Sequence, residues 1–144
     1  MGLRGMLWIG LSLLASAGPA LAQGGAAPDA VILSNGGAFG GGSSLVVTAD
    51  DRATMTTYGP FDDKAQPHVR RLRPGTYRKL RDHIRAHPIP RARLPAPDAL
   101  ACPDYGADSI ILREKGRERG YVTTCPNEAI SALDARLRAL IAQE

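Results

Sequence analysis

Two cysteines, Cys102 and Cys125, could form a disulfide, a redox pair or part of a metal site, and they are the only cysteine pair of this 144-residue chain. Their spacing is not Cys-x-x-Cys, which makes a redox or metal-binding pair the weaker alternative. In an oxidising compartment the two are expected to form a disulfide, which would enclose 24 residues counting both cysteines. By the loop-entropy model, such a bond stabilises the fold by about 3.4 kcal/mol.

Three histidines are the other candidate metal ligands. His83 and His87 lie four residues apart on a predicted helix, so both rings can reach one zinc ion, and His68 precedes that helix. No acidic or sulfur ligand accompanies them at a typical spacing. The alternative is a half-buried histidine at the edge of the apolar helix face. We predict that no metal binds.

The nucleophiles and carboxylates show no catalytic arrangement. No serine has the strand-turn-helix context of a nucleophile elbow. The serines considered are Ser43, Ser44, Ser109 and Ser131. Asp50–Asp51 and Asp62–Asp63 are adjacent pairs in predicted turns, where aspartates usually form the turn and stay solvated. We therefore predict a protein that is not an enzyme and uses no cofactor, with a small hydrolase as the least favoured alternative.

Residues 35–44 form a glycine-rich run, Asn-Gly-Gly-Ala-Phe-Gly-Gly-Gly-Ser-Ser. The run lacks the Gly-Lys-Ser/Thr ending of a P-loop and no helix pattern follows it, which argues against a phosphate site. It is either a flexible hairpin connection or a recognition loop. Phe39, flanked by glycines, has little to pack against locally, so we name it as a candidate binding residue.

Positive charge is concentrated in residues 70–93, which contain nine basic residues and a single acid, Asp82. Arg78, Arg81 and Arg85 fall at i, i+3 and i+7 of the predicted helix and form one stripe beside its apolar face. The stripe is either an anion-facing binding surface or a solvated face whose charges pair with acidic residues elsewhere in the domain.

The first 22 residues have the three parts of a secretory signal. Arg4 supplies the positive charge, residues 7–15 are apolar, and Ala20-Leu21-Ala22 is a small-x-small cleavage site. The apolar run is shorter than the ~20 residues that a membrane-spanning helix needs, so an uncleaved anchor is the weaker alternative. We expect cleavage after about Ala22 and a mature protein in the bacterial periplasm or outside the cell. That location makes nucleic acid a poor partner.

The sequence patterns also predict the strands and helices that position these residues. Strands are expected at residues 30–33, 45–49, 53–58, 108–114 and 120–124, the last two joined by a turn at 115–119. A polar loop is expected at 59–66 and a proline-rich crossing at 88–103. One helix is expected to begin near Pro74 and end at His87, and a second to begin at Pro126.

The two helices each carry one apolar stripe and must bury it. The stripes are Tyr77, Leu80 and Ile84 on the first helix, and Ile130, Leu133, Leu137, Leu140 and Ile141 on the second. Hairpins imply an antiparallel sheet. The prediction is an α+β two-layer sandwich, with an antiparallel sheet of about five strands and two helices on one face. It forms a single domain over residues 30–144, after a signal peptide at 1–22 and a flexible lead-in at 23–29.

This layout resembles the emfourin-type small bacterial proteins. The likeness covers residues 30–141: the run Asn35-Gly36-Gly37-Ala38-Phe39-Gly40-Gly41, a strand and turn, a proline-started helix, a hairpin and a final leucine-rich helix. That family inhibits thermolysin-like metalloproteases and carries a glycine pair and an aromatic residue after the first strand. The resemblance implies a protein-binding role with this loop at the contact. The export signal, the cysteine pair and the extra glycines depart from the family.

The sequence thus favours an exported, non-enzymatic binding protein that contacts a protein partner, a protease or an envelope protein. The contact would use the glycine-rich loop, the basic helix face, or both. The alternative is an envelope-associated structural protein that binds anionic lipid or glycan through residues 70–93. Salt separates the two, because polyanion binding weakens steeply as ionic strength rises.

Overall fold

A computed structural model describes residues 27–36, 41–60, 65–96 and 102–143 of the chain. The predicted signal peptide and Phe39 lie outside these residues. Among them are six strands, two α-helices and one short 3-10 turn at Arg91–Arg93. The strands are β1 (Ala30–Gly36), β2 (Gly42–Thr48), β3 (Arg52–Tyr58), β4 (Gln66–Arg71), β5 (Asp108–Glu114) and β6 (Arg117–Thr123). The helices are α1 (Thr76–Ala86) and α2 (Glu128–Ala142).

The six strands form one antiparallel sheet in the order β4-β3-β2-β1-β5-β6. The register sets buried side chains side by side on the face that the helices cover: Leu33 pairs with Leu45 of β2 and with Ile110 of β5. The predicted α+β fold with one antiparallel sheet and two helices is confirmed, with six strands instead of about five.

The sequence did not predict the extra strand, β4. Its first residue, Gln66, is the last residue of the predicted polar loop at 59–66. Its sequence, Gln-Pro-His-Val-Arg-Arg, has no apolar alternation, and all six residues are exposed. It pairs only with β3, so it is an edge strand and needs no buried face. Pro67, Arg70 and Arg71 are residue types that protect such an edge from pairing with other chains.

One hydrophobic core lies between the sheet and the helices. The stripes predicted for both helices are buried in it, except Leu140, which is half-buried against it. The buried core residues are Val31, Leu33, Leu45, Val47, Ala53, Leu72, Tyr77, Leu80, Ile84, Ile110, Leu112, Ile130, Leu133, Leu137 and Ile141. Each of them lies on the inward face of its strand or helix, or, for Leu72, in the link from β4 to α1, so the core fixes both helices against the sheet.

Several predicted boundaries were wrong by a few residues. β1 continues to Gly36 and β2 begins at Gly42, so both strands extend into the predicted glycine-rich loop, and β6 begins at Arg117 instead of residue 120. The first helix begins at Thr76, because Pro74 and Gly75 belong to the turn before it. The second begins at Glu128, since the side chain of Asn127 caps it by accepting a hydrogen bond from the Ile130 N–H at 3.1 Å. The β5–β6 turn has only two residues, Lys115 and Gly116, both at positive φ, as tight hairpins require.

Within the four described ranges, no helix is long and apolar enough to cross a membrane.

Candidate functional site

The stem of the glycine-rich loop is a regular β-hairpin that extends to the pair Gly36 and Gly42. Gly36 and Gly41 have φ values of +76° and +74°, a region that other residues rarely adopt. A Cβ at Gly36 would lie 2.5 Å from the Gly41 carbonyl oxygen, and a Cβ at Gly41 would collide with the Tyr58 carbonyl oxygen. Both glycines are therefore required by the closely packed base of the loop.

Polar contacts tie this stem to its neighbours. The Asn35 Oδ1 accepts hydrogen bonds from the Ser43 N–H at 3.2 Å and the Ser43 hydroxyl at 2.8 Å. The Gly36 N–H donates to the Asp108 carboxylate at 3.3 Å, and the Ala107 N–H donates to the Gly36 carbonyl at 3.1 Å. The hairpin is thus held by β5 as well as by its own pairing.

Tyr105 holds the Asp108 carboxylate from the other side. Its hydroxyl donates to the second carboxylate oxygen at 2.5 Å. This hydrogen bond, with burial and the negative charge of Asp108, raises the pKa of Tyr105 to about 12. The phenol therefore remains a proton donor at any physiological pH.

The predicted disulfide between Cys102 and Cys125 is confirmed, with an S–S distance of 2.12 Å and a Cα–Cα distance of 4.9 Å. The Cys102 N–H also donates to the Thr124 carbonyl at 3.2 Å. The bridge joins the segment before β5 to the segment between β6 and α2. It therefore lies at the same end of the sheet as the hairpin stem.

Phe39 lies outside the described residues, so its role as a contact stays a prediction. Residues 37–41 connect β1 to β2, which puts Phe39 at the middle of that connection. The structure describes the base of this loop, where β1 and β2 pair up to Gly36 and Gly42.

The three arginines of the predicted stripe have different environments on α1. Arg85 reaches across to Glu114 of β5, with its Nη2 2.7 and 2.8 Å from the two carboxylate oxygens. Arg81 pairs with its neighbour Asp82 at 2.8 Å. Arg78 is exposed and makes no ion pair among the described residues. Internal pairing, the alternative left open by the sequence, therefore applies most clearly to Arg85.

Other arginines of the basic segment remain exposed. In the part of the chain that the structure describes, no ion pair engages Arg70, Arg71, Arg91 or Arg93. Arg71 lies directly opposite Arg52 across the β3–β4 pair. Like charges at opposite positions destabilise a sheet, so this pair makes no contribution to the stability of the β3–β4 edge.

The histidines of α1 interact with each other. The rings of His83 and His87 stack with centroids 4.2 Å apart, and the His87 Nδ1 lies 3.0 Å from the His83 carbonyl oxygen. His68 lies on β4 and is exposed. The described residues contain no group of three or more metal-ligating side chains that could hold an ion.

Acidification is expected to destabilise the fold through His83. Burial, with the charges of His87 and Arg136, holds its pKa below the ordinary value of 6.5. The unfolded chain then binds the proton more readily, so this contribution is complete above about pH 6.5 and is lost as pH falls toward the folded pKa. Thermal melts from about pH 7 to pH 5 should show this decline, and His83→Gln should flatten it. The exposed His68→Gln is the control; equal slopes for His83→Gln and wild type would contradict the assignment.

Asp51 has a role that its sequence context does not reveal. It was predicted to be a solvated turn residue, but its carboxylate caps α1 from the β2–β3 turn. The two oxygens accept hydrogen bonds from the Gly75 and Tyr77 N–H groups, both at 2.7 Å. The cap lies 24 residues or more from its helix in sequence, so no local motif signals it.

Comparison with models of known protein families returns no match, and no curated protein matches the chain closely enough to count as a relative. The resemblance to the emfourin-type proteins therefore stays a prediction.

Proposed function

We propose that the chain is an exported, non-enzymatic binding protein that contacts a protein partner through the tip of its β1–β2 hairpin. The observation that carries the proposal is the anchoring of the hairpin stem. Gly36 and Gly41 permit a tight base, and Asn35 and Asp108 fasten it to β2 and β5. Binding residues concentrate on loops that a rigid scaffold presents in this way.

The tip itself supplies the kind of residue that dominates protein contacts. Phe39 is the one aromatic residue of a run that otherwise consists of glycines and small residues, so its chain neighbours offer it little to pack against. Truncation of such anchors at interfaces typically costs 2 kcal/mol or more of binding free energy.

The proposed location and partner class follow from the N-terminal sequence and the family resemblance. The signal-like residues 1–22 direct export, and a disulfide between Cys102 and Cys125 suits an oxidising compartment such as the periplasm. The emfourin-like layout makes a thermolysin-like metalloprotease the first partner to test and inhibition the first activity to measure.

Phe39→Ala is expected to weaken partner binding by tenfold or more, while the melting temperature changes little. The measurement is capture of partner from envelope and culture-supernatant extracts at two salt concentrations, with inhibition of a thermolysin-like protease measured in parallel. Val122→Ala, which also truncates an exposed apolar side chain but on β6, is the matched control. A fall of several degrees in the melting temperature of Phe39→Ala would mean that Phe39 belongs to the core, and the proposal would then fail.

The second candidate is an envelope-associated protein that binds anionic lipid or glycan through residues 70–93. The observation that favours it is the set of exposed arginines without ion pairs among the described residues, including Arg70 and Arg71 on the edge strand. Binding of this kind collapses as salt rises, whereas a contact centred on an apolar loop tip does not. The two salt concentrations of the capture experiment separate the candidates.

A further inference from the structure

A cavity of about 290 Å³ opens between the end of α1 and the β5–β6 hairpin. It lies toward the end of β5 opposite to the glycine-hairpin stem. Its apolar lining comes from Ile84, Pro88, Leu112 and the ring of Tyr121, and Arg85, Arg119 and Gly120 line the rest. Apolar walls with a few converging polar groups are the usual composition of a ligand site.

The two arginines share one carboxylate. Arg85 of α1 binds both oxygens of Glu114, and the Arg119 Nη2 lies 2.8 Å from one of them. The side chains of Arg85 and Arg119 are 47% and 63% exposed, whereas that of Glu114 is 20% exposed. The cluster therefore has one positive charge in excess, and each guanidinium retains N–H groups that Glu114 does not use.

Tyr121 adds a third donor to the cavity. Its hydroxyl oxygen accepts a hydrogen bond from the Ile89 N–H at 2.9 Å. Within the described ranges no acceptor takes the hydroxyl proton, which leaves it available to a ligand. Every polar side-chain group that lines the cavity can thus donate a hydrogen bond.

We propose that this cavity binds the C-terminal residue of a polypeptide. The carboxylate would lie on the cavity side of Arg85 and Arg119, against the N–H groups that Glu114 leaves unused, where its charge neutralises the excess. The side chain of the same residue would pack against Ile84 and Leu112. A terminal residue carries a carboxylate and an apolar group within one unit, and the volume, just below the usual range for small-molecule sites, suits one residue. The proposal rests on the proposed function only in taking a polypeptide as partner.

The test is fluorescence anisotropy of the mature protein with a labelled pentapeptide that ends in leucine. The free acid is expected to bind at least about tenfold more tightly than the C-terminal amide, because the amide lacks the charge that the arginines bind. Arg119→Gln and Arg85→Gln should each reduce affinity by about tenfold or more. Arg70→Gln, which removes the same charge from an exposed arginine of β4 at the opposite edge of the sheet, is the matched control and should leave affinity within about twofold.

Equal affinity for acid and amide, no measurable binding, or unchanged affinity in Arg119→Gln would each overturn the proposal. Arg119 is mostly exposed, so its variant keeps the test valid if Arg85→Gln proves unstable. Hexanoate that competes as well as the unlabelled peptide would also overturn it, because the site would then recognise small organic acids. Phe39→Ala should bind the peptide normally, which separates this site from the hairpin contact.

Discussion

Replacing Cys102 and Cys125 together by serine is expected to lower the free energy of unfolding by about 3 kcal/mol. The bond joins residues separated by 23 positions, and its loss returns that loop entropy to the unfolded chain. For a domain of this length, the melting temperature should fall by roughly 10–20 °C. The measurement is thermal melting of the mature protein and its double variant, with reduced wild-type protein as a second sample that should match the variant.

The effect of this bond should also reach the hairpin. Cys102 lies three residues before Tyr105, whose hydroxyl holds Asp108, and Asp108 in turn binds the Gly36 N–H. We therefore expect faster amide exchange at Gly36 and Ala107 in the double variant. Two free thiols per chain in denatured, unreduced wild-type protein would contradict the whole prediction.

Asp51→Ala is expected to destabilise the fold by about 2–3 kcal/mol. Loss of the cap leaves the Gly75 and Tyr77 N–H groups without their acceptor, which typically costs about 1–2 kcal/mol. Asp51 also has a φ of 59°, and alanine in this region costs about 1 kcal/mol more. Denaturant unfolding measures the change.

Two further variants separate the cost of the lost cap from the cost of the backbone conformation. Asp51→Gly lacks the capping carboxylate, but glycine adopts the positive φ at no steric cost. Its free energy of unfolding should therefore be about 1 kcal/mol higher than that of Asp51→Ala. Asp50→Ala, its neighbour in the same turn, removes an exposed carboxylate that accepts from the Thr48 hydroxyl and caps no helix, and should change stability much less than Asp51→Ala. Equal stability of Asp51→Ala and Asp50→Ala would refute the capping role.

The parts of the fold that sequence predicted well are those whose signal is local. β1, β2 and β5 carry apolar residues that the core requires, and the stripes of α1 and α2 repeat at helical spacing. The disulfide was predictable because only one pairing exists. Strand β4 was missed because an edge strand with six exposed residues has no burial pattern to detect.

The parts that sequence could not predict depend on partners far apart in the chain. Asp51 caps a helix that begins 25 residues later, and Arg85 meets Glu114 only because α1 crosses the sheet toward the end of β5. The same position of α1 over the sheet forms the cavity beside Arg119. Such contacts follow from the packing of complete elements, so the spacing of residues does not indicate them.

The most direct test of the proposed hairpin contact is site-specific photo-crosslinking from position 39 in cells that produce the exported protein. A photoreactive phenylalanine analogue in place of Phe39 should yield a discrete adduct with a protein partner, and the same analogue in place of Val122 on β6 should not. High salt applied before irradiation should leave the adduct in place. The absence of an adduct at position 39, or the same adducts from both positions, would contradict binding through the hairpin tip.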